Sequence, residues 1–145
     1  MNEVTPHVIK RGYYTYDRGA LEFYNEFDMT QVKRVYFTTH FDPNVIRAWQ
    51  GHTIESRWFC SVKGSFHVKL IKIDDWEKPS DQLKVLEYEL TSEEQEILFI
   101  PNGFLNGFKA IQSDSKLMIM SNYALGEIEN DELRFDEKKW SKWVI

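Results

Sequence analysis

Hydrophobic side chains in this chain recur at every second position. In Ser65-Phe66-His67-Val68-Lys69-Leu70-Ile71, Phe66, Val68 and Leu70 share one face while Ser65, His67 and Lys69 share the other. That alternation belongs to a half-buried strand and fits no amphipathic helix. Trp58-Phe59-Cys60-Ser61-Val62 precedes it across Lys63-Gly64, a two-residue turn signal. Further β-branched and aromatic runs lie at 35–39, 85–90, 97–100, 107–111 and 116–123. Between them stand the turn signals Lys78-Pro79-Ser80-Asp81, Pro101-Asn102-Gly103 and Gln112-Ser113-Asp114-Ser115. Helix is predicted only as one turn at 91–95 and as a short piece capped by Asp136 and running through Trp143. Many short, closely spaced strands mean an all-β sandwich or barrel; periodicity alone does not separate a jelly roll from the others.

The length of 145 residues suits one domain, 1–145, and no repeat, linker or charge block divides it. Hydrophobic residues at 42% and aromatics at 15% exclude a disordered chain. A net charge of −5 argues against a nucleic-acid partner, which would need a basic face. A few local arginines are still enough for a small anion. Cys60 is the single cysteine, so neither an internal disulfide nor a cysteine-based zinc site is expected. The longest apolar runs, such as Leu117-Met118-Ile119-Met120, fall far short of the ~20 residues of a membrane helix. With no basic segment leading into an apolar run near Met1, the expectation is a cytoplasmic protein without a membrane partner.

Two segments narrow the fold. Arg47-Ala48-Trp49-Gln50-Gly51-His52, followed by Arg57 and Gly64, and Pro101-Asn102-Gly103-Phe104-Leu105-Asn106-Gly107-Phe108 resemble the two halves of the cupin motif. With Asp17-Arg18-Gly19 and Glu132-Leu133-Arg134-Phe135-Asp136 in the same order, residues 15–140 resemble the dTDP-4-dehydrorhamnose 3,5-epimerases and the related dTDP-4-keto-6-deoxyhexose 3,4-ketoisomerases. The resemblance implies a cupin jelly-roll barrel (a double-stranded β-helix) with little helix, a homodimer, and a nucleotide-linked sugar as ligand.

The slots that carry metal ligands in metal-binding cupins read Gln50, His52, Arg57 and Asn106 here. One donor in four is too few for zinc or iron, so no metal and no other cofactor is expected. The epimerases' base histidine falls on Gln50, the histidine of their Pro-x-Gly segment on Asn106, and their catalytic tyrosine near Met118. The same double epimerisation is therefore not expected. The ketoisomerases carry His-x-His where this chain reads Gln50-Gly51-His52, so the second histidine is kept.

The resemblance thus implies metal-independent isomerisation, epimerase- or ketoisomerase-like, of a nucleotide-linked 4-keto-6-deoxy sugar. His52 would be the base, with a pKa near ~6.5, and Arg57 would hold the enolate. Gln50 and Asn106 would donate hydrogen bonds, Arg47 would face the sugar or diphosphate, Tyr123 the nucleotide, and Arg18 the diphosphate from its own or a partner subunit. The alternatives are a cupin that binds a sugar or nucleotide sugar without turnover, and a structural partner of sugar-modifying enzymes. Residue by residue, Arg57 could instead stack beside Trp58 and Phe59, Asn106 could bond its own turn, and Tyr123 could be core. Trp140 and Trp143 would pack in the core or a dimer interface, and His67 would face solvent.

Overall fold

The computed structural model describes residues 4–143, which form twelve strands and no helix. In chain order they are β1 (His7–Ile9), β2 (Gly12–Tyr16), β3 (Gly19–Phe23), β4 (Arg34–His40), β5 (Ile46–His52) and β6 (Arg57–Lys63). Then follow β7 (Ser65–Lys72), β8 (Val85–Thr91), β9 (Ile97–Ile100), β10 (Phe104–Ala110), β11 (Ser115–Ser121) and β12 (Glu132–Arg134). Two five-stranded sheets, β1-β9-β6-β11-β4 and β12-β5-β10-β7-β8, lie face to face, and β2-β3 is a separate ribbon. Every pairing is antiparallel. The molecule is an all-β jelly roll.

The alternation of 65–71 places Phe66, Val68 and Leu70 inward, where they meet Phe59, Leu98, Phe108, Leu117 and Ile119 between the sheets. Burying one such side chain fully contributes roughly 1.5–3 kcal/mol. The outer faces are covered too. Tyr24, Phe27 and Val32 pack on Trp58, Cys60 and Met120, and Phe135, Trp140 and Trp143 pack with Trp49 and Leu105. The tryptophan-rich tail is therefore part of the core.

Three expectations change. Lys63-Gly64 is not a hairpin turn, because β6 and β7 belong to different sheets. Gly64 makes the corner between them at φ +69°, and a Cβ there would lie 2.1 Å from Ser115 Oγ. Residues 136–143 form no helix: Lys138 N bonds Asp136 Oδ1 at 2.8 Å and Lys139 N bonds Asp136 O at 3.1 Å, closing a turn. The packing of Trp140 and Trp143 against the sheet overrides the capping signal. Lastly, β10 begins at Phe104 rather than at 107.

Candidate functional site

The two sheets part at one end to leave a cavity of about 760 Å³. Phe59, Phe108 and Ile119, which also belong to the core, line its apolar part. Its polar wall comes from both sheets. Strand β5 contributes Arg47, Gln50 and His52; β4 contributes Arg34, Tyr36 and Thr38; the start of β6 contributes Arg57. Gln50 and His52 share a face because they are two apart. Arg47, three before Gln50, would point the other way in a regular strand. The register of β5 on β10 shifts between Asn106 and Phe108, and this irregularity lets Arg47 line the same cavity.

Between β5 and β6 the chain crosses from one sheet to the other, bringing Arg57 to the same cavity as His52. Asp131 fastens that crossing. Its Oδ1 accepts from Thr53 N (2.9 Å), Thr53 Oγ1 (2.6 Å) and Ile54 N (2.8 Å), and its Oδ2 from Glu55 N (2.8 Å). Burial opposes ionisation of Asp131, but these bonds, with help from His52, outweigh it and hold the carboxyl below its ordinary 3.8.

Glu55 is thereby placed between two site residues. Its Oε2 lies 3.6 Å from His52 Nε2 and accepts a hydrogen bond from Arg57 Nε. Arg57 Nη1 donates to Tyr36 Oη at 2.8 Å. His52 and Arg57 are both buried. Burial is the largest influence on the His52 imidazole and the Arg57 charge the next; both lower its pKa from 6.5, against smaller upward pulls from Glu55, Asp131 and Glu132. The expected value near 6.5 is thus corrected downward, leaving a neutral imidazole at pH 7 that can accept a proton.

Two cations on the wall are uncommitted. Arg34 stacks its guanidinium 4.8 Å from the Tyr36 ring centre, and its buried Nε has no hydrogen-bond partner among the described residues. Arg47 lines the cavity without an ion pair among those residues. Gln50, by contrast, is tied down, since its Nε2 donates to Glu132 Oε1 at 2.5 Å.

His52, Arg57, Arg47 and Gln50 are brought together; three other expected residues are not. Asn106 is the inward neighbour of Gln50 on β10, wholly enclosed and outside the cavity lining, with Oδ1 unpartnered among the described residues. Tyr123 follows β11 half-buried, with its N–H on Ser121 Oγ at 3.1 Å, and does not line the cavity, which the chain reaches from Ala124 onward. Arg18 sits in the exposed turn of the β2-β3 ribbon, away from its own chain's cavity. Met118, where the family tyrosine was expected, packs on the outer face of its sheet.

The sequence reading missed Tyr36, Glu55 and Arg34. Tyr36 lies directly opposite Ile119 across β4 and β11, so a tyrosine enters the cavity from a neighbouring strand, a pairing no local pattern reveals. His40, near a turn, carried no signal in the sequence. It is buried against Phe108 at 5.3 Å with both ring nitrogens unpartnered among the described residues, and burial, then Arg47, lowers its pKa. No group of three His, Cys, Asp or Glu side chains among the described residues is arranged to hold a metal ion.

Neither a family model nor a curated protein matches the sequence. Solved structures do. A mutant 3,4-ketoisomerase from Thermoanaerobacterium thermosaccharolyticum, in complex with TDP-4-keto-6-deoxyglucose, is 21% identical with a TM-score of 0.68, over 90% of this chain and 87% of that one. A 3,4-ketoisomerase from Helicobacter canadensis is 16% identical with a TM-score of 0.69, over 92% of both chains. A dTDP-4-dehydrorhamnose 3,5-epimerase from Elizabethkingia anophelis is 13% identical with a TM-score of 0.76, over 97% of this chain and 81% of that one. The chain has their fold.

Proposed function

We propose that the protein isomerises a nucleotide-linked 4-keto-6-deoxy sugar without a metal, moving the ketone between C4 and C3. The observation that carries this reading is His52, neutral and buried on a cavity wall with Arg57 and Tyr36 across from it. The likeness in fold to enzymes of that chemistry supports it. In the first step the His52 imidazole takes the C3 proton. The C–H electrons form the C3–C4 double bond, and negative charge gathers on O4, where Arg57 and the Tyr36 hydroxyl stabilise it. The O3 proton then passes to O4 and the imidazolium returns its proton to carbon at C4, leaving the ketone at C3. Atoms and electrons balance with no oxidant. Arg34 and Arg47 would meet the diphosphate, and Asn106 would support Gln50 from beneath.

The test is incubation with TDP-4-keto-6-deoxyglucose in deuterated water. Deuterium at C3 or C4, read by NMR, supports isomerisation; binding without exchange at any pH overturns it. That second outcome is the binding-only reading, which one observation favours: Gln50 stands locked to Glu132 where a base would otherwise stand.

The exposed apolar side chains Val35 and Phe37 lie on β4, the edge strand of its sheet. They support a homodimer, since an uncovered apolar edge invites pairing. Arg18 would then serve only a neighbouring subunit's cavity. No helix among the described residues is long and apolar enough to cross a membrane, and the cytoplasmic assignment rests on the sequence reading.

A further inference from the structure

A second cavity, about 240 Å³, opens on the outer face of the β12-β5-β10-β7-β8 sheet, beneath the C-terminal tail. Lys109 on β10, His67 on β7 and Glu89 on β8 stand in one row across it, each directly opposite the next. Lys109 and Glu89 both line the cavity. Neither makes an ion pair or a side-chain hydrogen bond with a described residue. His67 between them is already engaged, 3.2 Å from Glu87 Oε1. Lys109 is only 8% exposed, its stem packed while its ammonium, which is not among the buried unpartnered atoms, stays open to the cavity. Neighbouring strands are about 4.8 Å apart, so two strand spacings separate the opposite charges by roughly 10 Å at the backbone.

Ala110, Ile111 and the Trp143 ring give the cavity its apolar surface, and Lys69, 3.6 Å from Glu87 Oε1, completes the lining. That ring is fixed. Gly107 lets it lie on the strand, since a Cβ there would be 2.7 Å from Trp143 Cζ2. Lys69 holds the tail by donating to Ser141 Oγ at 2.6 Å and to Lys142 O at 2.8 Å, and its ammonium stacks 4.5 Å from the Trp143 ring centre.

From this we infer that the cavity between Lys109, Glu89 and Trp143 binds a small zwitterion with an apolar body, the chemistry of a free aliphatic α-amino acid. Its carboxylate pairs with Lys109, its ammonium with Glu89, and its side chain lies on Trp143. A single-charge ligand satisfies only one end of the row, whereas a zwitterion satisfies both. The inference is independent of the isomerase reading, because the two cavities share no residue.

The probe is L-leucine, titrated into the full-length 15N-labelled protein while the five tryptophan indole N–H signals are followed. The signal that Trp143→Phe removes should shift with saturation. Lys109→Met keeps the packed stem and removes the charge; it should weaken binding about tenfold or more. Glu89→Gln, at an exposed position, should do the same and does not depend on the first variant folding. 4-Methylpentanoate and isopentylamine, each with one of the two charges, should bind correspondingly more weakly. A Trp143 signal unmoved by L-leucine overturns the inference, as does equal affinity for L-leucine in both charge variants. An equal response to 4-methylpentanoate or to inorganic phosphate overturns the zwitterion assignment.

Discussion

At the scale of single residues, the proposed chemistry turns on one imidazole. Gln50 and Asn106 can offer hydrogen bonds but accept no proton at neutral pH, and the Glu55 carboxylate beside His52 is already engaged by Arg57, which leaves His52 as the base. His52→Asn should abolish carbon–deuterium exchange while ligand affinity stays within a few-fold; removing a general base commonly costs ~10²–10⁴ in rate. The pH dependence follows from its surroundings. Burial and Arg57 hold the folded-state pKa below 6.5, so the neutral form persists to more acidic pH than for a free histidine. The acid limb of the wild-type rate should therefore fall below pH 6.5, and a limb above that value would contradict the assignment. Tyr36→Phe gives a second measurement. It removes the hydroxyl that receives the Arg57 hydrogen bond and leaves the ring stacked on Arg34. The expected result is a fall in turnover of about tenfold or more, with KM little changed if the hydroxyl acts only in the transition state.

The element that assembles this site is the crossing between β5 and β6, and Asp131 holds it in place. Asp131→Asn keeps the shape but weakens four accepted hydrogen bonds; each bond to a charged group contributes roughly 1.5–3 kcal/mol. A drop in thermal midpoint is expected, together with loss of activity as Glu55 leaves His52. The sign with pH is fixed by the lowered carboxyl value. The folded state binds this proton less readily than the unfolded chain, so the stabilisation is complete above the ordinary 3.8 and disappears as pH falls through the folded value. Acid unfolding of the wild type and the variant should thus converge at low pH. An equal gap at all pH values would show that Asp131 does not act as an anion. None of this clamp was legible in the sequence, because its acceptor lies more than seventy residues from its donors. What could be read was local. Residues 65–71 alternate because one face meets the core, and the strand at 97–100 was bounded by its turn signals. The tail misled for the opposite reason, since Asp136 caps a turn whose continuation is decided by where Trp140 and Trp143 dock. Likewise Tyr36 could not be placed, because its role depends on β4 pairing with β11 across the fold.

Across the whole molecule, the ribbon β2-β3 and the edge strand β4 decide whether one chain is enough. Val35 and Phe37 are each more than half exposed on β4, and Tyr13, Tyr14, Tyr16 and Leu21 are exposed on the ribbon. Light scattering on the purified protein should give twice 17.3 kDa, and Val35→Lys with Phe37→Lys should give the monomer mass. Arg18 makes the dimer functionally testable. It stands outside its own chain's cavity, so Arg18→Ala should lower affinity for the nucleotide sugar only by stripping the neighbour's site. Co-expressed with His52→Asn, it yields mixed dimers in which one cavity has both an intact His52 and an Arg18 from across the interface. Random mixing in a two-fold dimer makes such cavities about a quarter of the total. Assayed at a substrate level where each parent variant is nearly silent, the mixture should recover up to that fraction of wild-type exchange. If Arg18 instead served its own cavity, every cavity in the mixed dimer would lack one of the two residues, and mixing would restore nothing.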